Sequence, residues 1–281
     1  MINTVAVLGA GQMGSGIAHV FALTGHSVLL YDVSESQLAR ALAVIQQNME
    51  RQAKKGDIPQ SLIPESLARI TTTREMISLA PADFCVEAVT EHEPLKLEIF
   101  AKLDSIAEPS AILASNTSSI PITKIASATG RPHQVVGMHF MNPVPVMKLV
   151  EVIRGHATSE ETFQTVIGLA AKLGKEVAVS QDYPGFIVNR VLIPMINEAI
   201  FALYEGVASA EDIDRGMKLG TNQPMGPLTL ADFIGLDTVL AIANVLYDGF
   251  KDPKYRPCPL LVKMVNAGYL GRKSGRGFYS Y

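Results

Sequence analysis

A glycine-rich turn near the start of the chain constrains its fold more than any other feature. The run VAVLGAGQMGSGIA places Gly9, Gly11 and Gly14 as G-x-G-x-x-G between a predicted strand and a predicted helix. Without a β-carbon, Gly9 can form a tight turn, Gly11 lets a pyrophosphate approach the backbone, and Gly14 lets the helix pack on the strand. The helix start, at Gln12 and Met13, offers its amides to an anion. The turn therefore predicts a dinucleotide-binding βαβ unit of the Rossmann type.

An acidic residue at the end of the second predicted strand supports this prediction. Asp32 follows SVLLY at about the 20-residue offset expected of the acid that binds a ribose. Its carboxylate would accept from the 2′-hydroxyl of NAD and would repel the 2′-phosphate of NADP. The nearest basic residue after it is Arg40, so no cation follows immediately. We therefore expect NAD as the cofactor, with NADP less favoured.

The order of the predicted elements divides the chain into two domains. Over residues 1–183, short β-branched runs alternate with helical patterns, which is typical of an α/β protein with a doubly wound parallel sheet. Over 184–281 the apolar pattern repeats every 3.6 residues or so and predicts a second, all-α domain. The strands of the first domain are predicted at TVAVLG, SVLLYD, ADFCVEAV, SAILASN, QVVGMHF, KLVEVIRG and EVAVSQD.

Composition excludes several classes of protein. The net charge is −3 with both signs spread along the chain, so the basic surface of a nucleic-acid binder is not expected. The stretch VLIPMINEAIFALY is interrupted by Pro194, Asn197 and Glu198, and no membrane span is expected. The two cysteines, Cys85 and Cys258, fit a reducing compartment, and no signal sequence fits before the first strand. A cytoplasmic protein without a metal site is expected.

Polar residues stand in segments that would otherwise be apolar. His139 lies in the strand VVGMHF, and Glu151 lies in the next strand, KLVEVI, where a buried carboxylate is costly unless it is partnered. The connection MNPVPVM can return the chain as a hairpin, so that Glu151 holds one ring nitrogen of His139 protonated and the other accepts a proton. Ser118 in SNTSSI and Asn189, one turn after Gly185, are further candidates. Taken singly, each of these residues also has a purely structural explanation.

Six segments, taken together, resemble one enzyme family in order and across nearly the whole chain. They are SNTSSI, GMHFMNP, LVEV, YPGFIVNR, MGPLTLADFIGLD and GRKSGRGFYSY. The chain resembles the 3-hydroxyacyl-CoA dehydrogenases, which implies an NAD-dependent oxidoreductase of fatty-acid or butanoate metabolism. The reaction implied is hydride transfer between (S)-3-hydroxyacyl-CoA, expected to be 3-hydroxybutyryl-CoA, and 3-ketoacyl-CoA. His139 would be the general acid/base and Glu151 its partner, with Ser118 and Asn189 binding the 3-oxygen.

The same resemblance implies further binding residues. Glu91 and Lys96, in TEHEPLK, would lie along the ribose and phosphates of the cofactor, and Asn116 would lie near the nicotinamide. Lys54 would face the phosphates of coenzyme A from a projecting helical hairpin, although Lys55 would serve equally well. Neither the acyl length nor the direction of flux follows from these residues.

Three alternatives remain open from the sequence. A gulonate-type sugar-acid dehydrogenase would use the same histidine and glutamate, a non-catalytic dinucleotide-binding protein would keep the fold alone, and the chain would also suit a detached part of a multifunctional complex. In the second domain, AIFALYEGV and TVLAIANVLY carry more apolar surface than one domain normally exposes. A homodimer through the C-terminal helices is therefore expected, and the resemblance implies it too.

Overall fold

A single eight-stranded sheet organises the first part of the molecule. The computed structural model describes residues 2–281, and the sheet order is β3-β2-β1-β4-β5-β6-β7-β8. All neighbouring strands are parallel except the antiparallel pair β6 and β7. The doubly wound α/β prediction is confirmed, and one strand that the sequence did not predict, β3, lies at the edge. The strands are β1 Thr4–Leu8, β2 Ser27–Tyr31, β3 Ile70–Thr73, β4 Phe84–Glu87, β5 Ile112–Ser115, β6 Val135–Phe140, β7 Leu149–Arg154 and β8 Glu176–Gln181.

Helices cover this sheet and pack on its apolar strands. The longest, α2, begins where the Ser34 hydroxyl accepts from the amide of Gln37 and ends at Gly56, which has a φ of 82°. Its buried residues recur every three or four positions, as an amphipathic helix on a core requires. Only its last turns, 50–55, carry no buried residue. The helices are α1 Gln12–Leu23, α2 Glu35–Lys55, α3 Leu62–Ala68, α4 Glu93–Ile106, α5 Ile122–Ala126 and α6 Glu160–Lys172.

The chain divides into two compact units, the first running to Tyr183 and the second from Pro184 to Tyr281. The second unit is helical, as predicted, and has its own apolar core, in which Ile196, Leu236 and Leu261 are fully buried. Its helices are α7 Val188–Tyr204, α8 Ala210–Gly220, α9 Pro227–Ile234, α10 Leu236–Phe250 and α11 Pro259–Asn266.

Two buried aspartates tie the C-terminal segment to the helices of the second unit. Asp232 accepts from the amides of Phe278 and Tyr279 at 2.9 and 3.0 Å. Asp214 accepts from the hydroxyl of Tyr279 at 2.8 Å. A β-carbon on Gly277 would lie 1.9 Å from Asp232 Oδ1, so only glycine fits there. The close approach of Gly277 to Asp232 therefore explains this glycine of the motif GRKSGRGFYSY, and the contacts of Asp232 stabilise this unit.

The described part of the chain holds neither a single membrane-spanning helix nor a metal-binding cluster. Within residues 2–281, no single helix is long and apolar enough to cross a membrane; α9 and α10 together pass that test, but they meet at a 99° bend. The same residues contain no group of three or more His, Cys, Asp or Glu side chains that could hold a metal ion.

Candidate active site

The glycine turn after β1 lies at the carboxyl end of the sheet, where the strand order reverses between β1 and β4. Gly9 has a φ of 97°, and a β-carbon there would lie 2.7 Å from Ala88 O. A β-carbon on Gly14 would lie 1.7 Å from Gly9 O, so packing within the chain explains both glycines. A β-carbon on Gly11 would meet nothing within 4 Å and would enter open space. The absence of a side chain at Gly11 would therefore let a dinucleotide approach the backbone.

A cleft of about 650 Å³ opens beside this turn. Gly11, Gln12, Met13 and Asp32, four of the residues that the sequence analysis assigns to a cofactor site, line it. Asp32 Oδ2 accepts from the amide of Ala10 at 2.8 Å, and its Oδ1 accepts from the amide of Ser34 at 2.9 Å. Asp32 thus joins the end of β2 to the glycine turn, and its carboxylate lies at the cleft where a ribose would bind.

Arg74 is a cation near this cleft that the sequence did not indicate. It follows the unpredicted strand β3, and its Nε donates to Val33 O at 3.3 Å. Its Nη1 lies 3.8 Å from Glu35 Oε2. No basic residue follows Asp32 immediately along the chain, but the fold places Arg74 beside Val33, the residue after Asp32.

His139 and Glu151 face each other across β6 and β7. The antiparallel register places them directly opposite, and His139 Nδ1 lies 2.7 Å from Glu151 Oε2. Glu151 is fully buried, and His139 is 8 % exposed. The hairpin predicted from the sequence is therefore confirmed, and it brings the imidazole and the carboxylate into contact. A carboxylate in that position favours the Nδ1–H tautomer and stabilises an imidazolium when one forms.

His139 stands near the carboxyl end of β6, at the same edge of the sheet as the glycine turn. Three strand spacings, roughly 14 Å, separate β1 from β6. Between them, Asn116 follows β5, and its Oδ1 accepts from the amide of Phe140 at 2.8 Å. Asn116 therefore lies close to the histidine, on the path that a dinucleotide would follow along this edge.

Glu91 braces the loop that carries Ser118. Its Oε1 accepts from the amides of Ser118 and Ser119, each at 3.0 Å, and from the Thr117 hydroxyl at 2.5 Å. Burial alone would raise the pKa of Glu91, but Lys96 and these hydrogen bonds outweigh it and hold the pKa below its ordinary value. Glu91 does not line the 650 Å³ cleft, and apart from Lys96 its hydrogen-bond partners belong to the loop at 117–119.

Lys96 lies in a buried ion pair that the sequence analysis missed. Its Nζ is 2.5 Å from Glu87 Oε1 and 3.3 Å from Glu91 Oε2, and the lysine is only 1 % exposed. Glu87 also accepts from the hydroxyl of Ser115 at 2.7 Å. The contacts of Lys96 are thus internal, and removing either partner would leave an uncompensated buried charge. A glutamate inside the apolar run ADFCVEAV was the signal that could have revealed the pair.

Two more clefts share one wall, the connection between β6 and β7. A cleft of about 470 Å³ is lined by Asn142–Pro145 on one side and by Gly11, Gln12, Ser15 and Gly16 on another. A cleft of about 490 Å³ is lined by Pro143, Pro145 and Val146 together with Arg51, Gln52 and Lys55 of α2. Lys55 lines this second cleft and Lys54 does not, although both are exposed.

Asn189 belongs to the second unit, in the first turn of α7. Gly185 precedes the helix with a φ of 77°, and a β-carbon there would lie 2.7 Å from Leu246 Cδ2. The next residue, Arg190, stacks on Phe250 and Tyr255, with its guanidinium 4.1 and 4.4 Å from the two ring centres. The start of α7 is therefore held firmly within its own unit.

The fold and its glycine turn define a dinucleotide-dependent dehydrogenase, in which a histidine and a glutamate are in contact. The chain belongs to the 3-hydroxyacyl-CoA dehydrogenase family: residues 4–183 match its NAD binding domain and residues 185–281 its C-terminal domain. It is thus an NAD-dependent dehydrogenase, and acyl-CoA is its class of substrate. The family resemblance seen in the sequence is confirmed.

Three relatives show how far the similarity extends. The 3-hydroxybutyryl-CoA dehydrogenase of Bradyrhizobium diazoefficiens is 55 % identical over 281 residues, covering 100 % of this chain and 96 % of its own. The mitochondrial hydroxyacyl-coenzyme A dehydrogenase of Homo sapiens is 43 % identical, with coverage of 100 % and 92 %. The crystal structure of (S)-3-hydroxybutyryl-CoA dehydrogenase from Ralstonia eutropha matches with a TM-score of 0.98 and 49 % identity, covering 100 % and 99 %. These relatives support the acyl-CoA interpretation and not the sugar-acid alternative.

Proposed function

We propose that the protein interconverts (S)-3-hydroxybutyryl-CoA and acetoacetyl-CoA with NAD as the cofactor. The observation that carries the proposal is the 2.7 Å contact between His139 Nδ1 and Glu151 Oε2, at the same edge of the sheet as the glycine turn. Such a pair can move one proton reversibly, as the oxidation of an alcohol requires. The names of the relatives supply the substrate.

In the oxidative direction, Nε2 of His139 takes the proton of the C3 hydroxyl while Glu151 stabilises the imidazolium at Nδ1. When bound, the nicotinamide would supply the acceptor for the hydride that leaves C3 and, once reduced, the hydride for the reverse direction. In reduction, the imidazolium donates its proton to the 3-oxygen as the ketone becomes an alcohol. The fully buried carboxylate opposite the ring makes each protonation change less costly than it would be for an isolated buried histidine.

The cofactor would be held by groups at the edge of the sheet. The amides at Gln12 and Met13, in the first turn of α1, have no acceptor within the helix and suit a pyrophosphate. Asp32 would accept from the ribose, and Asn116 would lie by the nicotinamide. The internal contacts of Glu91 and Lys96 favour an indirect part for both, through the loop at 117–119.

Three further residues are proposed for the substrate on the family resemblance. Ser118 and Asn189 would each donate a hydrogen bond to the 3-oxygen. A lysine at the end of α2 would meet the phosphates of coenzyme A, and the lining of the 490 Å³ cleft favours Lys55 over Lys54. The first unit would thus bind NAD, and the second would contribute to the substrate and to dimerisation.

We also propose that the enzyme is a cytoplasmic homodimer joined through its helical unit. Large apolar side chains are exposed there, with Leu219 79 % and Phe233 60 % accessible. Both cysteines are free and buried, which suits a reducing compartment. Sedimentation at assay concentration should give twice the chain mass of 30.2 kDa; a particle of the chain mass would refute the dimer.

NADH absorbance during incubation with acetoacetyl-CoA tests the function directly. We expect rapid oxidation of NADH, slower turnover of longer 3-ketoacyl-CoA thioesters, and no NADH formation from gulonate and NAD. Replacing His139→Gln should lower turnover by about 100-fold to 10,000-fold and leave NADH affinity unchanged. His133→Gln is the matched control because His133 is exposed. If the wild-type enzyme does not oxidise NADH in the presence of acetoacetyl-CoA, the proposed substrate is refuted. If His139→Gln keeps full activity, the proposed mechanism is refuted.

A further inference from the structure

The connection at 141–148 is the shared wall of two clefts beside the proposed active site. It follows the strand of His139 and precedes the strand of Glu151. Within it, the amides of Val146 and Met147 both donate to Pro143 O, at 3.0 and 2.9 Å, which folds the segment into one compact turn. No backbone amide among residues 141–148 donates to the carbonyls of Val144 and Met147, so their protein donor comes from outside the turn.

Lys175 supplies those donors from a distant part of the first unit. Its Nζ donates to Val144 O at 2.6 Å and to Met147 O at 2.7 Å. Among residues 2–281, no carboxylate lies within ion-pair distance of Lys175, so the two carbonyls are its principal partners. An ammonium that donates to two carbonyls makes charge-assisted hydrogen bonds, which are stronger than neutral ones.

The backbone that presents Lys175 is itself fixed. Two residues after the end of α6, Gly174 lies in the left-handed region at a φ of 68°. The amide of Gly174 donates to Ala171 O and that of Lys175 donates to Ala170 O, which is a Schellman termination. The strand β8 begins immediately afterwards and pairs with β7. The side chain of Lys175 therefore extends from a rigid base.

The other side of the turn packs on the dinucleotide helix. A β-carbon on Gly16 of α1 would lie 2.9 Å from Val144 Cβ, so the turn and the helix are in close contact. Lys175 is half-buried, and this burial lowers the pKa of its ammonium. The turn is thus held between the α1 backbone and one partly buried cation.

We propose that Lys175 is a positioning residue for acyl-CoA binding. By donating to the carbonyls of Val144 and Met147, it holds the turn in place. Pro143 and Pro145 of the turn line the 470 and 490 Å³ clefts, which the acyl-CoA would enter. This inference rests on the proposed function. Lys175 would act through the turn and would not itself contact the substrate.

Steady-state kinetics of Lys175→Met test the proposal. Loss of two charge-assisted hydrogen bonds should raise the KM for acetoacetyl-CoA by about 10-fold to 100-fold, with a smaller fall in kcat. The affinity for NADH should change much less, because the 490 Å³ cleft shares no lining residue with the 650 Å³ cofactor cleft. Lys172→Met is the matched control because Lys172 is exposed at the end of α6, three residues before Lys175. A purely structural role of Lys175 would weaken the binding of both ligands alike.

Two further variants keep the test decisive if Lys175→Met folds poorly. Lys175→Gln retains a shorter, neutral donor and should give an intermediate KM. Aminoethylation of Lys175→Cys rebuilds an ammonium of nearly the same reach and should restore the wild-type KM, while Cys85 and Cys258 are both buried. A wild-type KM in any folded variant lacking the ammonium, or an equal loss of NADH affinity, would overturn the proposal. An inactive wild-type enzyme would instead refute the proposed function.

Discussion

Replacing Glu151→Gln removes the charge beside His139 and keeps the size of the side chain. The two groups are in contact at 2.7 Å, and the glutamate is fully buried, so water screens their attraction poorly. Two unit charges about 4 Å apart, at an effective dielectric constant of about 20, attract by about 4 kcal/mol. That energy stabilises the imidazolium formed during oxidation, and its loss corresponds to roughly a 1000-fold lower rate. Since glutamine still offers a hydrogen bond, we expect kcat to fall by about 100-fold to 1000-fold.

The assay is single-turnover oxidation of 3-hydroxybutyryl-CoA, followed by the appearance of NADH, so that product release does not hide the chemical step. Binding of NAD, measured separately by titration, should stay at the wild-type value because Glu151 lies at β7, away from the glycine turn. Glu176→Gln, the same substitution at an exposed strand residue, is the control. If Glu151→Gln oxidises the substrate as fast as the wild type in a single turnover, the carboxylate does not stabilise the imidazolium and the proposed mechanism is wrong.

Two other predictions concern stability. Burial lowers the pKa of His19 to about 4; its hydrogen bond to Gln52 opposes this shift, and the charge of Lys175 adds to it. As the pH falls, the unfolded state therefore takes up the proton before the folded state does. Through this residue, the free energy of unfolding should fall by about 2 kcal/mol between pH 6.5 and 5. Urea titrations of His19→Gln should show a shallower pH dependence of stability, and a dependence equal to that of the wild type would contradict the assignment. Gly277→Ala should lower the melting temperature of the second unit because the new β-carbon would lie 1.9 Å from Asp232 Oδ1. Gly216→Ala, in open space on α8, should not, and calorimetry showing equal melting for both variants would refute the close-approach explanation.

Features encoded by neighbouring residues were predictable from the sequence. The glycine turn needs only three correctly spaced residues between a strand and a helix. The contact of His139 with Glu151 needs only a short connection that reverses the chain. In both cases the partners are close in sequence, so local geometry leaves few alternatives. The division into a sheet domain and a helical domain follows in the same way, because the apolar period changes from alternation to 3.6 residues.

Features that depend on distant segments were not predictable. The strand β3 has four residues, three of them threonines, and it forms by pairing with β2 rather than by any apolar alternation of its own. Lys175 gives no local sign that it binds Val144 and Met147, since 31 and 28 residues separate them. Such contacts are set by tertiary packing, which spacing does not encode.

The one antiparallel pair in the sheet accounts for the position of the acid–base group. In a wholly parallel sheet, the residue opposite His139 would come from a strand separated by a full crossover helix. Reversal at the 141–148 connection instead places Glu151 directly across from it, where facing side chains have β-carbons about 5 Å apart and can touch. The same short connection also forms the wall of two clefts, because it leaves the sheet at the edge that carries the glycine turn. Substitutions that loosen this turn should therefore affect substrate affinity first and proton transfer second, since the strands on either side remain paired.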